Sequence, residues 1–291
     1  MTLITVFGGT GFLGRRIVER LTGDGVSLRV AVRHPEQVDT PAKSVGVGRT
    51  TLIAADVRDP STVAAAIAGS ESVINAVSAY VEKGGVTYTA VHVHGAGNIA
   101  TVCQQQNVAR LVHISGIGAD PTSRSPYIRA RGLGELAVRK AFPSATILRP
   151  GVMFAIDGGL LSALEKLARS APIIPLIGGG RTRLQPVHVN DVAEAVYVLM
   201  RNPDGAGNTY DLGGAETYTL REILDMVLAR IGRSRRFISI PFALASPLAR
   251  VLELFPNAPL TVAQVDLLRR DNVMGTVNAE RRIDTRLDPL L

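Results

Sequence analysis

Gly8-Gly9-Thr10-Gly11-Phe12-Leu13-Gly14 follows the β-like run Leu3-Ile4-Thr5-Val6-Phe7 and runs into a helical stretch near 12–22. Glycines at 8, 11 and 14 make a tight strand-to-helix turn. Its backbone can approach a pyrophosphate, and the amides at the helix N-terminus then face that anion. Glycine-rich turns also occur for packing alone, so the position after a strand and before a helix is what points to a nucleotide cradle. Thr10, Phe12 and Leu13 lie within the cradle and Arg15 directly behind it.

Outward from this turn the chain keeps alternating. Strand-like runs at 27–32, 51–55, 72–77, 110–115 and 145–149 are separated by helical stretches near 60–68, 89–106 and 126–141. Such a rhythm predicts right-handed βαβ units and a parallel sheet covered on both faces, a Rossmann-type doubly wound α/β fold. Asp59-Pro60 and Ser125-Pro126 each offer an N-cap followed by proline at the first helical position. After Arg149-Pro150-Gly151 helices predominate, near 158–170, 191–201, 219–231, 242–254 and 261–270. Residues 1–150 therefore read as the dinucleotide-binding domain. Residues 151–291 read as a smaller, mainly helical lobe for substrate or partner, partly built back onto the first sheet.

Composition narrows the function classes. The 291 residues carry 32 Lys+Arg against 25 Asp+Glu, a balance of +7, with 46% hydrophobic and 20% charged residues. That is a folded protein, not a disordered one. A lone cysteine, Cys103, excludes an intramolecular disulfide framework and any multi-cysteine zinc site, and suits a reducing cytoplasm. The first strand starts too near the initiator methionine for a secretory signal to precede it. The most apolar stretches, 160–177 and 237–256, are broken by charges and prolines and do not read as membrane spans. The basic excess is almost all arginine, with no basic arm and no recognition motif, which argues against nucleic acid as a partner.

The ends of the next strands bear on the ligand. An NAD site wants an acid about 20 residues beyond the glycines, to bind the ribose 2′-hydroxyl. Here the second strand ends Val30-Ala31-Val32-Arg33-His34. Arg33, with Arg15, suits a 2′-phosphate, so NADP(H) is favoured over NAD(H). Asp56-Val57 ends the third strand, where an acid can accept from an adenine amino group or simply close a turn. Asn75-Ala76-Val77 ends the fourth, either letting backbone approach the adenosine ribose or serving as a polar strand end.

Together with Ser115 after the fifth strand and Tyr127 opening the next helix, these features resemble the short-chain dehydrogenase/reductase superfamily. Further strings run through nearly the whole chain: Val73-Ile74-Asn75, Leu148-Arg149-Pro150, Ile177-Gly178-Gly179-Gly180-Arg181-Thr182, Gln185-Pro186-Val187-His188-Val189, Asp191-Val192-Ala193-Glu194-Ala195 and Leu267-Leu268-Arg269-Arg270-Asp271-Asn272-Val273. They are similar to an atypical branch, the NADPH-binding accessory subunit of respiratory complex I and its bacterial relatives. The resemblance implies that Pro150 borders the cofactor and that Ser115, Tyr127 and the residue four beyond the tyrosine are the candidate catalytic set. That last position, lysine in the superfamily, holds Arg131 in Tyr127-Ile128-Arg129-Ala130-Arg131. Four-residue spacing puts phenol and cation on one helix face, where the charge favours the phenolate. Arginine keeps the charge but is bulkier and spreads it over a fork.

Other polar residues read structurally. His188 lies in an alternating strand, and Asp191 with Glu194 reads as a helix capping box. His92 and His94, two apart on a helix, cannot share a metal, and no metal site is expected. Residues 242–255 place Leu244, Ala245, Leu248, Val251, Leu252 and Phe255 on one apolar stripe. Such a stripe usually faces the core; the other reading is a partner surface or peripheral membrane contact. Two functions follow: an NADPH-dependent oxidoreductase on a small carbonyl, alcohol or quinone-type substrate, or a non-catalytic NADPH-binding protein within a complex.

Overall fold

The computed structural model describes residues 2–22, 25–38, 50–254 and 260–275. The described residues fall into two units, one holding the chain up to Pro150 together with Val189–Leu212, the other holding Gly151–His188 and the residues from Gly213 onward.

In the first unit, β1 (Leu3–Phe7), β2 (Ser27–Val32), β3 (Thr50–Ala54), β4 (Ser72–Asn75), β5 (Arg110–Ile114) and β6 (Thr146–Pro150) are joined by β11 (Thr209–Leu212). The order is β11-β6-β5-β4-β1-β2-β3 and every pairing is parallel. This is the doubly wound sheet expected from the alternation, with its strand order reversing between β1 and β4. The sequence places 189–212 in a lobe partly built back onto the first sheet, and in the structure α6 (Val189–Arg201) packs on α1 (Phe12–Thr22) while β11 extends the sheet beside β6.

Local signals place the helices. Asp59 caps α2 (Pro60–Ile67) by accepting from Ser61 N at 2.9 Å. Ser125 occupies the same position before α4 (Pro126–Ala141), but its side chain makes no capping bond. The stretch near 89–106 begins as a π-helix, Thr89–Gly95, before continuing as α3 (Ala96–Gln105). Asp191 lies buried in the first turn of α6 and not ahead of the helix, and Glu194 pairs with Arg20 of α1.

In the second unit, β7 (Met153–Ala155) pairs with β10 (Val187–His188), β8 (Ile173–Ile177) with β13 (Arg236–Ile240), and β9 (Arg183–Leu184) with β12 (Tyr218–Thr219). Helices α5 (Gly159–Ser170) and α7 (Leu220–Arg230) enclose a core of Ala168, Ile174, Leu176, Ile223, Leu224 and Val227. Capping boxes do occur here, Thr219 with Glu222 on α7 and Thr261 with Gln264 on α9 (Val262–Leu267). The helix α8 (Phe242–Leu252) reverses the expected orientation of its stripe. Ala245 and Ala249 are fully buried, whereas Leu244, Leu248 and Val251 are exposed. Leu252 is partly buried and Phe255 lies outside the described residues.

Candidate functional site: a dinucleotide cradle beside a tyrosine–arginine pair

The turn after β1 is built so that no side chain intrudes. Gly8 has φ +76°, and a Cβ there would stand 2.9 Å from the carbonyl oxygen of Ala76 at the end of β4. A Cβ on Gly14 would lie 2.0 Å from Gly8 O, so the first turn of α1 closes against the strand end only with glycine at 14. Gly11 N donates to Gly8 O at 3.0 Å, leaving Thr10 and Gly11 exposed at the crest. The bare backbone lies at the switch point and at the N-terminus of α1, which fits a pyrophosphate. Phe12 is partly buried, Leu13 is in the core, and the Arg15 guanidinium lies 5.8 Å from the Phe12 ring centroid.

The neighbouring strand ends converge on the cradle. Arg33 is exposed just beyond β2, and its charge is a minor contributor to the lowered pKa of Asp56 beyond β3. Arg58 dominates that effect: its guanidinium donates to both Asp56 carboxylate oxygens and, with smaller help from Arg33, holds this carboxyl below its usual range. The Asp56 side chain is thus spent on an internal ion pair. Val57 is buried and its carbonyl accepts from Asn98 Nδ2 at 3.0 Å. Asn75 is also engaged internally, accepting from Val77 N at 3.1 Å and lying 3.1 Å from His113 Nδ1, so it is the Ala76–Val77 backbone that borders Gly8. Pro150 is buried at the end of β6, with its carbonyl accepting from Ile117 N at 3.0 Å.

On α4, Tyr127 and Arg131 form the pair their spacing implies, with Arg131 Nη1 donating to Tyr127 Oη at 2.6 Å. The Ser78 side chain bonds the same phenol. Tyr127 is 2% exposed, stacked on Tyr80 with Tyr88 and His92 edge-on. Burial raises its pKa above the ordinary tyrosine value despite the opposing Arg131 charge, so the group is a neutral phenol. Arg131 Nε is buried without a hydrogen-bond partner, an unmet donor beside the cradle's end of the sheet. Its guanidinium covers Gly116, where an added Cβ would sit 3.0 Å from Nη2.

Ser115 is drawn elsewhere. Buried at the end of β5, it donates to Glu135, whose carboxylate also accepts from Arg149 Nε at 2.8 Å and Nη2 at 2.5 Å. Glu135 stands four residues beyond Arg131 and eight beyond Tyr127 on one helix, a spacing that could have exposed it in the sequence. His92 and His113 were equally unforeseen as neighbours of the pair. Both are pushed down to about 3, chiefly by burial and then by Arg131, and are neutral. The His92 ring bonds Ala79, and a Cβ on Gly134 would come within 2.0 Å of His92 O, so α4 approaches the π-helix closely only because Gly134 is bare. His188 lies in the second unit against Phe154. Among the described residues no cluster could hold a metal.

A glycine-lined switch point with a tyrosine–arginine helix pair defines an α/β dinucleotide-binding protein of the atypical short-chain dehydrogenase/reductase type. Residues 8–172 match the family described as NAD(P)H-binding, and the chain belongs to it. It is 32% identical to the "NADH dehydrogenase [ubiquinone] 1 alpha subcomplex subunit 9, mitochondrial" of Arabidopsis thaliana, over 94% of this chain and 69% of that protein. It is 33% identical to the "NADH-ubiquinone oxidoreductase 40 kDa subunit, mitochondrial" of Neurospora crassa, over 85% of this chain but only 65% of that subunit. A "Ceramide reductase" of Caulobacter vibrioides is 28% identical over 82% of the chain and 74% of its own length. The fold alone is shared with a nucleoside-diphosphate-sugar epimerase from Staphylococcus aureus, 15% identical with a TM-score of 0.76, covering 99% of this chain and 98% of that one.

Proposed function

We propose that the protein binds NADP(H) in preference to NAD(H) and reduces a carbonyl or quinone-type substrate. The observation that carries the cofactor choice is Arg33, exposed beyond β2 where an NAD site would place an acid. The next acid, Glu36, is turned to His34, its carboxylate 3.2 Å from Nδ1. Gly8, Gly11 and Gly14 would hold the pyrophosphate, Arg33 and Arg15 the 2′-phosphate, and Arg131 the nicotinamide ribose. When bound, NADPH supplies a hydride.

The chain's own part in a reduction is the proton. Tyr127 keeps its proton on Oη because burial outweighs the Arg131 charge, so it is in the form that can donate to an oxygen gaining electrons. Arg131 Nη1, 2.6 Å from Oη, stabilises the phenolate left behind. Tyr80, 50% exposed and stacked on Tyr127, covers the phenol and would have to yield to substrate. Ser115 enters the reaction only if it releases Glu135. Relatives named as ubiquinone oxidoreductase subunits and as a ceramide reductase support apolar substrates. With Cys103 buried and no other cysteine in the chain, we place the protein in the reducing cytoplasm.

A second reading, a non-catalytic NADPH-binding subunit of an assembly, is favoured by the burial of Tyr127 and the Ser115–Glu135 bond. The NADPH dissociation rate separates the two. A co-substrate must leave at least as fast as turnover, on the order of 1–1000 per second; release over minutes marks a structural ligand. For an enzyme, Tyr127→Phe abolishes turnover and leaves NADPH affinity nearly unchanged. Retained turnover removes Tyr127 from the chemistry. Arg33→Asp should weaken NADPH far more than NADH, and an equal loss for both refutes the 2′-phosphate assignment.

A further inference from the structure

We propose that the outward face of α8, with the adjoining edge of the β8–β13 pair, docks on an anionic lipid surface. The helix is packed with its small side chains inward. Ala245 and Ala249 are 0% exposed, within a cluster that also takes in Ile177 and Val265, while Leu244 is 63%, Leu248 44% and Val251 55% exposed. Spacings of four and three put these large side chains on one helical stripe. Leu254, just past the helix, is 81% exposed. The same small core takes in Ile240, the end of β13, and the β8–β13 pair exposes Ile173 and Ile238 on its outer side. Large apolar side chains left exposed together on one helix face mark an interaction surface.

Charge selects the occupant. Residues 231–275 contain six arginines and three acids. Arg250 is exposed on α8 itself and Arg236 on β13. All three acids are engaged, Glu253 accepting from Val262 N at 2.9 Å, Asp271 from Arg183 N at 2.9 Å, and Asp266 facing Arg269 at 3.6 Å. Leucines framed by arginines match an interfacial helix, which buries its apolar side at the headgroup boundary and sets its cations among lipid phosphates. A second copy suits the patch less well, because a two-fold contact would bring this positive surface against itself. No helix among the described residues is long and apolar enough to cross a membrane, so the contact is interfacial.

The test is flotation of the full chain with phosphatidylcholine vesicles, with and without phosphatidylglycerol. The wild type is expected to float with the anionic vesicles only, and less at high salt. Leu248→Glu should lower that partition by at least about tenfold, since it removes an inserted side chain and adds a charge of the wrong sign. Arg236→Glu with Arg250→Glu should abolish the preference for phosphatidylglycerol. An unchanged melting temperature and NADPH affinity show that each variant is folded. Failure of the wild type to bind anionic vesicles overturns the proposal, as does binding by Leu248→Glu equal to wild type. So does a lipid-independent dimer that Leu248→Glu dissolves, which would assign the face to a second copy.

Discussion

Glu135→Ala tests whether the buried network at the ends of β5 and β6 supports the site. The carboxylate is 6% exposed, accepts the Ser115 hydroxyl and binds Arg149 through two guanidinium nitrogens. Truncation leaves Ser115 without its acceptor at 3% exposure, and leaves Arg149 with Asp211, 3.9 Å away, as its remaining acidic neighbour here. Breaking a buried ion pair costs about 3–5 kcal/mol, and an orphaned hydroxyl adds about 1 kcal/mol. Arg149 retains some solvent contact, with 27% of its side chain exposed, which pulls the sum toward the lower end. A loss of about 3 kcal/mol corresponds to a fall in melting temperature of roughly 6–12 °C for a chain of this size. Glu135→Gln keeps the shape and one acceptor and should cost about half as much. Differential scanning calorimetry of both variants, with Ser115→Ala and the double variant, measures the effect and the coupling. A fall below about 1 °C for Glu135→Ala would refute the network, as would strict additivity with Ser115→Ala.

Three further outcomes follow from the geometry. Gly14→Ala places a Cβ 2.0 Å from Gly8 O, so NADPH affinity measured by fluorescence titration should drop at least about tenfold while the far-UV circular dichroism is retained. His92 and His113 titrate near 3 in the folded chain and near 6.5 when unfolded, so between those values the unfolded state binds more protons and stability is lost as pH falls. Urea unfolding at about pH 7.5 and about pH 5.5 should differ by roughly 2.7 kcal/mol for the two histidines, and substituting either by an isosteric neutral residue should halve the difference. Cys103 is buried and its thiol is pushed up to about 12, so Ellman's reagent should react with it only after unfolding; rapid labelling of the native protein would contradict the packing.

The sheet, the glycine turn and most helix limits were legible in the sequence because their causes are local. Period-two apolar runs form strands, glycines close the turn after β1, and Asp59 before Pro60 starts a helix. The Tyr127–Arg131 contact was legible too, since residues four apart on a helix must meet. The network of Ser115 with Glu135 and Arg149 was not, because it depends on which strand ends α4 crosses. The apolar arc of 242–252 includes alanines and leucines side by side, so periodicity could locate the helix but not choose the face that meets the core.

By itself, then, the sequence determined a doubly wound fold with a dinucleotide cradle at the end of β1, together with the residue types that border it. Spacing and turn chemistry act over a few residues and need no distant partner. The tertiary structure alone decided that 189–212 completes the first unit, that Ser115 serves Glu135, that two neutral histidines lie beside Tyr127 and Arg131, and that α8 turns its leucines outward. Each of these depends on desolvation and pairing between groups far apart in the chain, and only folding brings those groups together.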